Sequence, residues 1–283
     1  MEPALVDQPP EGDGWIHEIK HDGFRTQLVV QNGGASAFTR RGHDWTERYR
    51  PIVEEAATLP VTTAILDGEM VVLDEQGRSD FPAFADAMRT RPADLVFMAF
   101  DLLHIDGRDL RQLGTLDRRE QLQALLEAHD RTPRIRFSAH VAGQGQAVFE
   151  AADRMGLEGI VSKRATARYR SGPARSWLKT KALADEQFIV IGTEPGDRGP
   201  PFALLAREDD EGLHYAGSAF VTLGGDERET FWNEVERLRR KRPALAMPKR
   251  AKTTWIEPHL RVQARYLKGS DKLRHARLTG IAS

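Results

Sequence analysis

His17-Glu18-Ile19-Lys20-His21-Asp22-Gly23-Phe24-Arg25 places one lysine just ahead of an Asp-Gly pair. Apolar-patterned runs flank it, Trp15 to Ile19 and Phe24 to Val30, and Asp-Gly between two such runs is a strong short-range hairpin signal. The spacing therefore predicts a hairpin with Lys20 at its mouth. A lysine held among apolar neighbours has its charged form disfavoured, and a neutral amine is a nucleophile whereas an ammonium is not. A surface lysine beside a turn is also an ordinary structural feature, so the stretch acquires meaning only together with residues further along the chain.

The 283 residues exceed the size at which one core usually stops growing, which favours two domains. Hydrophobic residues at 40% and charged residues at 29% describe an ordinary globular protein. With 41 basic and 42 acidic residues the formal charge is -1, so attraction to a polyanion must be local. Cysteine is absent, which excludes disulfides, thiolate metal sites and cysteine nucleophiles. No targeting segment and no membrane-length apolar run is read, and a cytoplasmic protein is expected.

Met1 to Gly14, rich in Pro and Gly, reads as a lead-in without regular structure. After the hairpin, Asn32-Gly33-Gly34 predicts a second turn and Ala35 to Thr39 a third strand. Asp44 to Leu59 reads as a helix stopped by Pro60. Strands are expected over Ala64 to Leu73, carrying Leu66-Asp67-Gly68-Glu69, and over Leu95 to Ile105, carrying Phe100-Asp101-Leu102-Leu103 and ending in an Asp106-Gly107 turn. Thr115 to His129, with leucines at 116, 122, 125 and 126, and Gln144 to Met155 predict helices.

Leu157 to Arg164 then reads as a short strand, and from Ser162 to Lys181 seven basic residues occur with no acidic one: Lys163, Arg164, Arg168, Arg170, Arg175, Lys179 and Lys181. Such one-sided charge beside a strand points to phosphate contact, against the alternative of a solvated basic face. In Trp177-Leu178-Lys179-Thr180-Lys181 the strand period puts Lys179 and Lys181 on one face, where two ammonium groups repel unless an anion lies between them. A boundary is expected near Ala182 to Glu186, dividing the chain into 1–184 and 185–283. The second part, with short strands (Gln187 to Gly192, Phe202 to Arg207, His214 to Phe220, Thr254 to Pro258, Leu260 to Leu267) and a helix (Glu227 to Arg240), suggests a small barrel, an OB-fold. Arg237 to Arg242 with Lys249, Arg250 and Lys252 forms a second basic cluster. The histidines show no metal-ligand spacing, and His17, His21 and His275 read as surface or hydrogen-bonding residues.

The order and spacing of these pieces resemble the covalent nucleotidyltransferases: ATP-dependent DNA ligases, RNA ligases and mRNA capping enzymes. Lys20-x-Asp22-Gly23-x-Arg25 looks like their motif I, followed by counterparts in Thr39-Arg40-Arg41-Gly42, Leu66-Asp67-Gly68-Glu69 and Phe100-Asp101-Leu102-Leu103. Glu158-Gly159-Ile160-Val161-Ser162-Lys163 is similar to motif IV and Trp177-Leu178-Lys179-Thr180-Lys181 to motif V. The flanks Pro9 to Trp15, Asp44 to Arg48 and Leu273-Arg274-His275 resemble the ligase domain of bacterial ligase D, the end-joining family. The likeness extends through Tyr215-x-Gly217 and Trp255-Ile256-Glu257-Pro258. It is looser at Leu267-Lys268-Gly269-Ser270-Asp271, where an acidic, tryptophan-containing stretch is usual, and at Ala276, where the family usually has proline.

The resemblance implies an α+β fold, an adenylation domain of antiparallel sheets with flanking helices followed by an OB-fold barrel that moves relative to it. It implies Lys20 as nucleophile toward the α-phosphorus of ATP, giving AMP covalently on Lys20, with Lys179 and Lys181 as catalytic cations whose proximity would depress the lysine's pKa. Mg²⁺ or Mn²⁺ is expected on Glu158, Glu69 or Asp22. The ribose is assigned to Arg40 and Glu69, the adenine to Phe100 with backbone groups around Glu18 and Ile19, and a 5′-phosphate to Arg25, Arg40 and Lys163. Nicked duplex DNA, gripped by the run from Lys163 to Arg175 and by the second basic cluster, is the implied partner of a monomeric enzyme, a Ku-like end-binding protein a further one. RNA ligases and capping enzymes share motifs I to V, and a non-catalytic DNA-binding module would keep the basic patches but has no need of Lys20, Glu158, Lys179 and Lys181 together.

Overall fold

The computed structural model describes residues 1–128, 133–197, 199–248, 250–268 and 272–282. The chain forms two compact units, Met1–Ala182 and Leu183–Ser283. In the first, β1 (Glu2–Leu5), β2 (Trp15–Ile19), β3 (Phe24–Gln31) and β4 (Gly34–Thr39) precede α1 (Arg50–Ala56). Then come β5 (Thr63–Val72), α2 (Phe81–Thr90), β6 (Leu95–Ile105), β7 (Arg108–Asp109) and α3 (Thr115–Glu127). The unit ends with β8 (Ile135–Phe137), β9 (His140–Ala142), α4 (Gly145–Arg154), β10 (Gly159–Arg164) and β11 (Pro173–Lys181).

Turn chemistry sets the first sheet. Asn32 and Gly33 have φ of 50° and 78°, the left-handed pair that a two-residue hairpin turn requires, and Asp106-Gly107 repeats it at 43° and 78°. The resulting sheet runs β4-β3-β5-β6-β7, with β8 parallel to β6. Leu28, Leu66, Phe97 and Leu102 are fully buried on it, each contributing about 1.5–3 kcal/mol through burial. Helices α1, α2 and α3 pack on β4, β5 and β6. The second sheet runs β1-β11-β10-β2-β9, antiparallel except for β1 against β11.

The structure corrects three expectations. Met1 to Gly14 is not wholly irregular: Glu2–Leu5 adds a parallel strand to the edge of β11, where Pro3 is tolerated, and Met1 is buried. The Asp22-Gly23 hairpin does not form, because β2 pairs with β10 and β9 while β3 pairs with β4 and β5. The segment from Lys20 to Gly23 crosses between the two sheets, and its glycine serves close approach rather than a turn: a Cβ on Gly23 would lie 2.0 Å from the Met70 carbonyl oxygen. The helix predicted over Asp44 to Leu59 is confined to a 3₁₀ turn, Glu47–Tyr49, and α1, with Pro51 in the first turn. The predicted helix end at His129 lies outside the described residues. Sequence patterning misses α2, which Asp80 caps by accepting from the Ala83 amide.

The second unit contains β12 (Leu183–Glu194), β13 (Phe202–Asp209), β14 (Gly212–Phe220), α5 (Gly225–Arg237) and β15 (Arg239–Arg240), then β16 (Thr254–Ile256), β17 (Arg261–Leu267) and β18 (Arg274–Ile281). Pairings of β12 with β13, β13 with β14, β14 with β18, β18 with β17 and β17 with β12 close a five-stranded ring, the OB-fold barrel. Phe188, Leu205, Val262 and Leu278 fill it, and Phe231 and Val235 of α5 join the same core. Gly269, Ser270 and Asp271, where the motif likeness loosens, lie outside the described residues, as does Lys249.

Candidate active site

The register of the second sheet assembles the site. Ile160 stands opposite Ile19, Val161 opposite Lys179 and Gly159 opposite Lys181, and the Lys20 amide donates to the Gly159 carbonyl at 2.9 Å. Gly159, at φ 135°, lets β11 come close, because a Cβ there would meet the Thr180 carbonyl oxygen at 2.1 Å. Lys20 Nζ thereby donates to Glu158 Oε2, while Lys181 Nζ lies 3.6 Å from Glu158 Oε1. One carboxylate thus stands between two ammonium groups that would otherwise repel. Burial, then the charges of Lys181 and Lys20, pushes the Lys179 ammonium below its ordinary pKa.

Beside these residues lies a cleft of about 200 Å³ that opens to solvent. Lys20, Lys179, Glu18, Ile19, Arg25 and Arg40 line it, joined by Glu69, Phe100 and Lys163. Glu158 reaches the cleft through its contact with Lys20, and Lys181 through its contact with Glu158. Asp22, named with Glu158 and Glu69 as a metal anchor, is not among the residues lining the cleft. Phe100 and Trp177 meet edge to face at 6.0 Å between ring centroids. Lys163 Nζ sits 4.4 Å from the first ring and 4.2 Å from the second, pairs with Glu18 at 2.6 Å and donates to the Phe100 carbonyl at 3.2 Å. Burial pushes this ammonium down to about 8 against the opposing pull of Glu18. Lys163 is therefore an interior residue of the cleft and not part of an outward basic face, a correction to its expected grip on DNA.

Arg25 is committed to Asp67 through two hydrogen bonds of 3.0 and 2.6 Å and also donates to the Met1 carbonyl. Arg40 pairs with Glu2 at 2.7 Å, and both remain partly exposed. Glu69 is pushed up to about 8 by burial, with the Lys20 and Arg25 charges opposing the rise and Glu158 and Asp67 adding to it. A neutral carboxyl beside a carboxylate is what a cation would convert into a ligand pair. Among the described residues no group of three or more His, Cys, Asp or Glu forms a ready-made cage. That donor set fits a hard cation held by one or two carboxylates and by substrate phosphate oxygens.

Of the basic run, Arg164, Arg168, Arg170 and Arg175 are exposed. The second cluster is largely neutralised within the chain: Arg237 pairs with Glu234, Arg239 with Glu236, Arg240 with Glu257, Arg250 with Glu194 and Lys252 with Asp197. His17 is buried, its Nδ1 2.8 Å from Ser162 Oγ. Sequence reasoning misses Arg118 and Arg119, both fully buried on α3, because arginines between leucines read as a solvent-facing stripe. Arg118 makes a bidentate pair with Asp101, both bonds 2.8 Å, and Arg119 holds the Phe100 carbonyl at 2.7 Å and Glu18 at 3.0 Å. Among the described residues no helix is long and apolar enough to cross a membrane.

Comparison with known proteins shows the family. Residues 8–181 match the family described as ATP dependent DNA ligase domain, and residues 202–283 the ATP dependent DNA ligase C terminal region. The chain is 35% identical over 274 residues to the multifunctional non-homologous end joining protein LigD of Pseudomonas aeruginosa, covering 93% of this chain and 32% of that relative. It thus spans about a third of the length of such curated relatives. Among solved structures, a mycobacterial DNA ligase D complexed with ATP and MES superposes with a TM-score of 0.59 at 26% identity, covering 99% of this chain and 94% of that one. The ligase domain of LigD from M. tuberculosis gives 0.57 at 26% identity with the same coverage. The chain belongs to the ATP-dependent DNA ligase family.

Proposed function

We propose that this chain seals nicks in duplex DNA through an AMP carried on Lys20. The observation that carries the reading is the Lys20 amine held against Glu158 at the edge of a cleft that also presents Lys179 and an aromatic ring, Phe100. In the first step Lys20 Nζ attacks the α-phosphorus of ATP, the P–N bond forms, the bond to the β-phosphate oxygen breaks and pyrophosphate departs. Glu158, in hydrogen-bond contact with the attacking nitrogen, takes up the proton it sheds. Lys179 and Lys181 neutralise charge that grows on the phosphoryl oxygens. Phe100 offers a stacking face to the adenine, backbone groups of Glu18 and Ile19 flank it, and Arg40 and Glu69 face the ribose.

Glu158 and Glu69, with Asp22 two residues beyond Lys20 as a further candidate, would hold a divalent Mg²⁺ or Mn²⁺, which would supply further charge neutralisation on the phosphates. In the second step the phosphoramidate on Lys20 gives its AMP to the 5′-phosphate of a nick, and in the third the adjacent 3′-hydroxyl displaces AMP. Exposed Arg164, Arg168, Arg170 and Arg175 supply backbone contacts to the duplex, with Arg25 and Arg40 nearest the 5′-phosphate. Lys163, buried beside Phe100, serves the nucleotide and not the duplex. The same reading has the chain act as a monomer in the cytoplasm, in end joining beside a Ku-like end-binding protein. The name of the Pseudomonas relative supports the end-joining part.

The test is incubation with radiolabelled ATP or GTP and Mg²⁺ or Mn²⁺, wild type beside Lys20→Ala, followed by a chase with nicked DNA. Label from ATP alone, absent in the variant and discharged into sealed DNA, is expected. Absence of label from folded, AMP-free protein under either metal overturns the reading.

A further inference from the structure

The adjacent arginines of α3 point into two different parts of the machinery. Arg119 Nη1 donates to the carbonyl of Phe100 and pairs with Glu18, and its guanidinium lies over the Phe137 ring at 4.7 Å. It therefore fixes the backbone of the residue whose ring lines the cleft, together with the carboxylate that holds Lys163. Arg118 instead spends one face of its guanidinium on Asp101 and turns Nη1 to the carbonyls of Leu113, at 2.8 Å, and Ala167, at 3.1 Å.

Ala167 belongs to the connection between β10 and β11, residues 165–172, which carries exposed Arg168 and Arg170. This connection crosses the N-terminus of α3. The Leu116 amide, one of the first-turn donors a helix leaves unsatisfied, donates to Ala165 O at 2.9 Å, and Thr115 Oγ1 donates to Ala167 O at 3.1 Å. Gly114 packs closely against the connection, since a Cβ there would lie 3.2 Å from the Ala165 oxygen. Tyr169 adds a second anchor: its hydroxyl donates to Asp67 at 3.3 Å, its amide to the Arg111 carbonyl at 2.9 Å, and its ring lies 5.8 Å from the Arg118 guanidinium carbon. Buried charge and hydrogen bonding thus immobilise a connection whose outer side chains are cationic, and long cationic side chains on a fixed backbone lose less freedom on meeting phosphate.

We propose that Arg118 is a positioning residue for the DNA-dependent steps, acting through residues 165–172, and that Arg119 is the corresponding positioning residue for nucleotide loading, acting through Phe100. The proposal rests on the nick-sealing reading above. It divides one dipeptide between two substrates that the enzyme meets at different times.

The experiment compares Arg118→Lys, Arg119→Lys and Tyr169→Phe with wild type in three measurements: ATP-dependent labelling of Lys20, single-turnover discharge of purified adenylated enzyme onto nicked DNA, and thermal unfolding. Arg118→Lys keeps a cation for Asp101 but loses the arm that reaches Ala167. It is expected to label at a rate within about twofold of wild type and to discharge about tenfold more slowly, the equivalent of one well-placed hydrogen bond. Arg119→Lys is expected to raise the ATP KM for labelling about tenfold and to leave discharge within about twofold. Tyr169→Phe, which removes no charge, is expected to repeat the Arg118→Lys signature in weaker form, and it decides the matter if Arg118→Lys does not fold. Equal losses in labelling and discharge, or none in either, overturn the division while leaving nick sealing intact. A wild-type enzyme that neither labels nor seals overturns both.

Discussion

Lys20 and Glu158 stand 138 residues apart in sequence and meet side chain to side chain at the edge of the cleft. The contact has a double function in the geometry: it orients the amine, and it shares one carboxylate between Lys20 and Lys181. Glu158→Gln retains the shape and removes the charge. Labelling of Lys20 by ATP is expected to fall by about two orders of magnitude with little change in thermal stability, measured as single-turnover label on denatured protein.

Gly23→Ala tests the crossing between the sheets. With a Cβ aimed at the Met70 oxygen from 2.0 Å, β3 must shift away from β5 or the crossing must move. A loss of about 1–3 kcal/mol in denaturant unfolding is expected, the range for overpacking a tight interior.

His21 sets an acid limb on stability. Burial holds its folded pKa down at about 4 from an ordinary 6.5. Between those values the unfolded chain takes up a proton that the folded chain refuses, so stability from this group falls as pH drops from about 6.5 to about 4. His21→Gln is expected to flatten that part of the curve of unfolding midpoint against pH.

Arg168→Ala with Arg170→Ala should weaken nicked-duplex binding and lower the slope of log K against log salt by about two, one for each arginine that no longer meets a phosphate. Arg237→Ala removes a cation already paired with Glu234 on an exposed helix surface. It is expected to leave both the slope and the unfolding midpoint unchanged, because an exposed ion pair contributes little. Filter binding across a salt series separates the two.

The motif residues Lys20, Arg40, Glu69, Phe100, Glu158 and Lys179 are legible through the resemblance of their short motifs, each of which sits in or beside a strand that local patterning also predicts. Their convergence is not, since it depends on register between strands far apart in sequence, and the same gap explains the mistaken hairpin at Asp22-Gly23. Local pattern offers two apolar runs and a turn pair. Tertiary pairing gives each run better partners in different sheets. Arg118 and Arg119 escape for a related reason: a buried arginine is recognisable only from its carboxylate and carbonyl partners, and Asp101, Phe100 and Ala167 lie on other elements. Lys163 is visible in the basic run but misplaced by it, since a charge run shows nothing of which member turns inward.

The two sheets of the first unit differ in when they can be made. Strands of the β4-β3-β5-β6-β7 sheet, with β8, come from residues 24–137 and mostly join neighbours in the chain. The other sheet joins residues 2–19 to 140–181, so β1 and β2 wait for partners more than a hundred residues downstream. During synthesis the helix-covered sheet has all its strands long before Lys179 and Lys181 leave the ribosome. High contact order slows the closing of the second sheet. Within this unit the strand leading to Lys20 is thus made early and finds its place late, and the cleft matures only when the unit is nearly whole.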